Sequence, residues 1–254
     1  MPQKVLEGKR AVVTGASAGM GAAFAMKFAS EGASIWAAGG SDAEGLRRTI
    51  EGCAKHGVRA GGKGYSLARS QDAARLVRDG AEFLGGLDIL FNCAGTRNFK
   101  PIAEVEDEEI ELLFQVNAKA AYIASREAAR IMVPQRSGKI LMLGSDAGEH
   151  GTANFSLYSC TKAVMHNLTK CLAIELGPLG IRRGRGEHGG DGAFPGVPGK
   201  RIHERLHRHG RRGYHGGLAG TDLRAGGGES RPGRIPVPFR RRTGGCLGCP
   251  AHLR

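Results

Sequence analysis

Ser145, Tyr158 and Lys162 are the residues whose types and spacing point to chemistry: a serine thirteen residues before a tyrosine, and a lysine four residues after it. Moving a proton to or from a carbonyl oxygen near neutral pH calls for a hydroxyl whose high pKa is lowered by a close cation. Residues i and i+4 are neighbours on a helix, so Tyr158 and Lys162 can form that pair, with Ser145 as a second hydroxyl to hold the substrate oxygen. Tyr-x-x-x-Lys alone also describes many surface helices, so the triplet gains meaning only from its surroundings.

The first of these surroundings is a glycine-rich turn far upstream. Arg10 to Thr14 is a short β-prone run, followed by Gly15-Ala16-Ser17-Ala18-Gly19-Met20-Gly21 and a helical pattern to Ser30. Glycines at 15, 19 and 21 let the chain turn sharply and let backbone N–H groups approach a pyrophosphate. They also let the helix pack closely on its strand. Apolar runs at 11–14, 33–38, 87–91 and 139–143 alternate with helical stretches at 21–30, 42–56, 71–84, 105–133 and 157–177. That alternation predicts an α/β fold, a Rossmann-type doubly wound parallel sheet. The run 139–143 is apolar throughout, as for a strand covered on both faces, and Ser145 falls just past its carboxyl end, where ligands bind in such sheets.

Residues 8–181 resemble the short-chain dehydrogenase/reductase family. The likeness rests on Thr14-Gly15-x-x-x-Gly19-x-Gly21, the run Leu87-Asp88-Ile89-Leu90-Phe91-Asn92-Cys93-Ala94-Gly95, Asn117, Ser145 and Tyr158-x-x-x-Lys162. The resemblance implies an NAD(P)-dependent oxidoreductase acting on an alcohol or ketone, with Tyr158 as general acid/base and Ser145 orienting the substrate oxygen; the alternative is an inactive or non-catalytic nucleotide-binding relative. Lys162 would bind the nicotinamide ribose and lower the Tyr158 pKa, and Asn117 would hold a water for proton relay. Cofactor contacts are expected from Gly15, Ser17, Gly19, Met20, Gly21, Asn92, Ala94, Gly95, Tyr158 and Lys162, with no metal. Helices 105–133 and 157–177 are expected to pair between subunits, giving a homodimer or homotetramer.

Several positions depart from the family pattern. An acidic residue at the end of the second strand selects NAD, and a basic one just after it selects NADP; here stand Gly39 and Gly40. Ser66 replaces the adenine-side aspartate and Cys93 the second asparagine. Ser41, Arg47 and Arg48 either contact a phosphate or form a solvated helix start, so the choice between NAD and NADP stays open.

The larger departure follows Ile181. Residues 182–254 hold 19 of the 42 glycines, 15 arginines and 6 of the 9 histidines, and account for +11 of the +13 net charge. Leu, Ile, Val and Phe make up only 11 of these 73 residues, too little apolar surface to fold at such charge. The chain is therefore expected to divide into a catalytic domain, 1–181, that lacks its last strands, and a Gly/Arg-rich region, 182–254, without recognisable secondary structure. One reading of that region is a basic arm for phosphates, although only Phe194, Tyr214 and Phe239 could stack on bases. Another is a metal module on Cys246 and Cys249, which has no second ligand pair at zinc spacing. The third is a shifted reading frame: Gly186 to Gly192, back-translated and read one base later, permits Val-Asn-Thr-Val-Ala-Thr-Gly, and Gly245 onward permits Val-Val-Ser-Gly-Ala, both resembling the family. Resequencing the coding DNA is expected to reveal the shift near codon 182; an uninterrupted frame and a matching intact-protein mass would sink it.

The 181 residues before the break suffice for one core. No apolar run reaches 18 residues, and Met1 to Gly8 does not read as a signal peptide, so a cytoplasmic protein without a membrane partner is expected, and the thin aromatic content of 182–254 argues against a nucleic-acid partner. Cys53, Cys93, Cys160 and Cys171 lack disulfide-framework spacing, in keeping with a reducing compartment.

Overall fold

Strands β1 (Arg10–Thr14), β4 (Ile89–Asn92) and β5 (Gly138–Leu143) are apolar on successive residues because neighbouring side chains enter two different cores. Val12, Leu90 and Ile140 face one, with Leu76, Val77, Met165 and Leu168. Ala11, Val13, Ile89, Phe91 and Leu141 face the other, with Phe28, Ile35 and Leu46. Period-2 alternation of the backbone thus gives no alternation of polarity. The computed structural model describes residues 4–186, with side chains to Ile181. The readings of the sequence beyond 186, including Cys246, Cys249 and most of the shifted-frame segments, lie outside the described residues.

The elements alternate along the chain. With β2 (Ser34–Gly39), β3 (Ala60–Gly64) and β6 (Ile181–Gly186), the strands form one six-stranded sheet in the order β3-β2-β1-β4-β5-β6. Every pairing is parallel, as in Val12 opposite Trp36 and Leu90, and Leu90 opposite Ile140. Helices α1 (Gly19–Ser30) and α2 (Ala43–Ala54) supply one covering layer. Helices α3 (Ser70–Leu84), α5 (Ala120–Gln135) and α6 (Ser156–Leu176) supply the other. The strand order reverses between β1 and β4, the crevice where doubly wound sheets bind ligands. At its opposite end the same strand pair is clamped by Arg10, whose Nε and Nη2 donate to the two Asp88 carboxylate oxygens at 2.8 and 3.0 Å. Burial raises the Asp88 pKa, but the Arg10 side-chain and main-chain donors outweigh it and hold the carboxyl below its ordinary value.

Two strands fall outside the apolar runs. β3 reads Ala-Gly-Gly-Lys-Gly; a Cβ at Gly61 would meet the Phe83 ring at 2.6 Å, and that ring packs on Trp36 at 5.0 Å between centroids. Aromatic rings from α3 and β2 take the volume that apolar β3 side chains would fill, so glycine is the residue that fits. β6 is built by residues that composition assigns to the tail. Its main chain runs beside β5 from Gly138 opposite Ile181 to Leu143 opposite Gly186, so the sixth place in the sheet is filled. Parallel pairing needs only backbone donors and acceptors, and buried Ile181 anchors its start.

The single helix expected over 105–133 is instead α4 (Asp107–Phe114), a π turn (Gln115–Lys119) and α5. Such widened turns concentrate at functional sites, and this one contains Asn117. No helix among the described residues is long and apolar enough to cross a membrane.

Candidate active site

The turn after β1 is held by main-chain contacts that leave no room for a side chain at Gly15 or Gly21. Gly15 has φ +68°, and a Cβ on it would lie 2.8 Å from Ala94 Cα; a Cβ on Gly21 would lie 2.1 Å from the Gly15 carbonyl oxygen. Buried Thr14 locks the turn across the crevice, its Oγ1 accepting the N–H groups of Cys93 and Ala94, both at 3.0 Å. Ser17 ties it to the end of β2 by accepting the Gly40 N–H at 3.1 Å. α1 then begins at Gly19, with open space beyond its Cα, no side-chain cap from Ala18 and no acidic residue in its first turn. Unclaimed N–H groups and the positive end of the helix dipole suit an anion. Half-exposed Met20 flanks this end. Beside the turn lies a cleft of about 670 Å³, lined among others by Gly15, Gly39, Ser66, Ala94 and Gly95. A glycine cradle, an uncapped helix end and a cleft of this volume beside them fit a dinucleotide.

Asn92, expected to contact cofactor, is turned away from the cleft. Its buried amide donates to Ser125 Oγ at 3.2 Å and faces Met142 Sδ at 3.4 Å, joining β4 to α5 and β5. Cys93 acts through its main-chain N–H on Thr14, and burial pushes its thiol up to about 12.

The catalytic candidates converge past the end of β5. Ser145 is extended, and its Oγ accepts the Ala147 N–H at 3.2 Å, capping a short 3-10 turn. That turn sits against α6 because Gly148 has no Cβ, which would otherwise approach the Lys162 carbonyl carbon to 2.8 Å. Tyr158 lies in the first turn of α6, half-buried, with the Phe155 ring stacked on it at 4.4 Å and 22°. Lys162 is 3% exposed; its Nζ donates to the Leu143 carbonyl at 2.9 Å and lies 5.6 Å from the Tyr158 ring centroid. Asn117 is 1% exposed. Its Oδ1 accepts the Thr96 N–H and its Nδ2 donates to the Thr96 carbonyl, both at 2.8 Å, and to Thr161 Oγ1 at 3.0 Å. Both of its amide hydrogens are engaged, so Asn117 could hold a water only as an acceptor.

The electrostatics differ from expectation in one respect. Burial raises the Tyr158 phenol above its ordinary value and is opposed by a hydrogen bond with Ser145 and by the Arg97 charge. Lys162, its ammonium turned to Leu143, is not among the groups that lower it; burial instead lowers the pKa of Lys162 itself. Desolvation disfavours the charged form of each group, and here it dominates.

Sequence spacing brings out Ser145, Tyr158, Lys162 and the glycines but not the residues that brace them. Thr96 and Thr161, which fix Asn117, and His166, whose Nε2 accepts the Ser145 N–H at 3.4 Å, carry no motif of their own. Arg97 could have been noticed only as a charge directly after Ala94-Gly95-Thr96. Arg47 is engaged by Glu44 and Glu51, and Arg48 lies 3.6 Å from Glu44, so α2 begins as a solvated, ion-paired face.

Comparison with known proteins agrees with this geometry. The profile of the short chain dehydrogenase family matches residues 9–184. The 2,3-dihydro-2,3-dihydroxybenzoate dehydrogenase of Bacillus subtilis is 36% identical over 186 residues, 72% of this chain and 69% of that protein. A short chain dehydrogenase from Burkholderia cenocepacia, solved with NADP, is 34% identical with a TM-score of 0.67, over 71% of this chain and 73% of that one. NAD+-bound xylitol dehydrogenase is 27% identical with a TM-score of 0.68, over 71% and 69%. The chain spans about two thirds of the length of such curated relatives, 69% and 64% for two of them. By sequence and by fold, the chain belongs to the short-chain dehydrogenase family.

Proposed function

We propose that the chain is an NAD(P)-dependent oxidoreductase that interconverts a secondary alcohol and its carbonyl, with the proton handled by Tyr158. One observation carries this reading: Ser145, past the end of β5, and Tyr158, in the first turn of α6, stand by buried Lys162, whose Nζ lies 3.9 Å from where a Cβ of cleft-lining Gly95 would sit. Bound NAD or NADP supplies or accepts the hydride. Gly15, Ser17, Gly19, Met20 and Gly21 hold its pyrophosphate side, and Ala94, Gly95 and Lys162 its nicotinamide side. Ser145 Oγ holds the substrate oxygen while Tyr158 Oη gives it a proton in reduction or takes one in oxidation. Lys162 has two N–H donors beyond the one on Leu143, enough for a ribose hydroxyl and for the phenolate that oxidation requires. Asn117 fixes the Thr96 loop and the π turn through its amide.

Self-association through α4 to α6 is part of the proposal. Exposed Leu112, Phe114, Tyr122 and Val164 surround a groove of about 790 Å³ there, an apolar patch of the kind that marks an interface.

The test follows nicotinamide absorbance with the full-length chain, NAD+ or NADP+, and 2,3-dihydro-2,3-dihydroxybenzoate together with simple secondary alcohols. Because the Tyr158 phenol is raised, its phenolate is scarce at neutral pH. Oxidation, which uses the phenolate, is expected to speed up as pH rises, while the reverse reduction, which uses the phenol, holds steady until pH nears that raised value. A pH-independent oxidation, or one favoured by acid, would remove Tyr158 from the proton step.

A further inference from the structure

His166 is a polar side chain buried on α6, one helical turn beyond Lys162. A buried imidazole is stable only where its ring nitrogens find partners. Here Nε2 accepts the Ser145 N–H at 3.4 Å, and Nδ1 stands 3.6 Å from Glu149 Oε1. Ser145 and Glu149 flank the 3-10 turn Asp146–Gly148, so one ring spans that turn from end to end. A nitrogen that accepts carries no hydrogen, which puts the hydrogen of the neutral ring on Nδ1, toward the carboxylate.

The turn begins with the hydroxyl that the proposed chemistry needs. Ser145 Oγ accepts the Ala147 N–H, which fixes the hydroxyl within its own loop but does not fix that loop against α6. Contacts with α6 do so on either side of the serine. Lys162 Nζ holds the Leu143 carbonyl at 2.9 Å, two residues before Ser145. Gly148, three residues after it, rests on the Lys162 and Ala163 main chain. The bond from His166 lies at the serine itself. Loss of that acceptor lets the Ser145 main chain shift while both flanking contacts persist, and reacting groups misplaced by about 1 Å can cost a hundredfold in rate.

Resting on the role proposed for Ser145, we infer that His166 is a positioning residue: its imidazole, backed by Glu149, sets the Ser145 main chain so that the serine hydroxyl stands with Tyr158 on the substrate oxygen. Full-length variants are compared in the nicotinamide-linked turnover described above, with melts to verify that they are folded. His166→Leu removes both ring nitrogens and should lower kcat about twentyfold, with cofactor affinity within about twofold. His166→Gln keeps an acceptor and should stay within about threefold of the unmodified rate. Added to Ser145→Ala, His166→Leu should cost less than about twofold more, since the hydroxyl it positions is already gone. A packing role alone costs both backgrounds equally, and that result overturns the inference. So does a folded glutamine variant that loses tenfold or more, on the order expected for leucine. In histidine-labelled full-length chain, the nitrogen NMR signals lost in His166→Gln should be those of a ring protonated at Nδ1 alone; a ring protonated at Nε2 overturns the inference whatever the rates. An unmodified chain that turns over no substrate overturns the proposed function instead, and the ring tautomer still decides the bond to Ser145.

Discussion

Tyr158→Phe is expected to lower kcat/KM by about a thousandfold, roughly 4 kcal/mol of transition-state stabilisation, while leaving cofactor affinity within about twofold. The substitution removes one oxygen and little else. Phe155 packs on the ring of Tyr158 rather than on its hydroxyl, so a phenylalanine keeps that stack. Lys162 remains bonded to the Leu143 carbonyl, and the glycine turn lies on the far side of the crevice. What disappears is the proton carrier and the hydrogen-bond partner of Ser145. Steady-state rates and a fluorescence titration on the same preparation separate the two effects. If turnover falls less than tenfold, another group moves the proton and the proposed chemistry fails; if cofactor binding collapses too, Tyr158 is structural. Ser145→Ala is the informative companion, expected near a hundredfold, because Tyr158 keeps its proton when the second hydroxyl is gone.

How much of this arrangement was legible depended on whether the determining contacts are local. Tyr158 and Lys162 are four residues apart on one helix, and Gly15 to Gly21 are one turn, so spacing alone places them. β1, β4 and β5 could be read as strands because both faces are buried and apolar residues follow one another through their centres. β3 could not, since Phe83 and Trp36 fill the space its own side chains would take. β6 could not either, because main-chain pairing along β5 does not depend on an apolar sequence. The braces of the site join residues far apart: Thr14 to Cys93 and Ala94, Asn117 to Thr96 and Thr161, Asn92 to Ser125. No local pattern announces these bonds, and only the sheet order brings their partners together. The same limit explains Lys162: a four-residue spacing makes it a neighbour of Tyr158, but the Leu143 carbonyl decides where its ammonium points.

Gly21→Val should be the most damaging single change in the nucleotide half, destabilising the fold by about 3 kcal/mol and weakening binding of either cofactor by about a hundredfold. Its Cβ would lie 2.1 Å from the Gly15 oxygen and 2.5 Å from the Gly15 carbon. Those are main-chain atoms fixed by the β1 pairings and by Thr14, and no rotamer change relieves the clash. The start of α1 must therefore retreat by the difference between 2.1 Å and the 3.4 Å at which ordinary van der Waals contact begins. Retreat pulls Ala25 and Phe28 from the core they share with Ile35 and Phe91, and it carries the uncapped amide end away from the position that suits a pyrophosphate. A domain of this size loses about 2–4 °C of melting temperature per kcal/mol, so the melt should fall by roughly 6–12 °C. Gly19→Ala isolates the two causes. Position 19 has φ +55° but open space around a Cβ, so it should cost only about 1 kcal/mol of backbone strain and leave the helix in place. A Gly21→Val chain that melts within 2 °C of the unmodified one, by about the scale just used, would mean that α1 does not rest on the Gly15 carbonyl. Equal losses for the two variants would instead assign the damage to backbone conformation rather than to close approach.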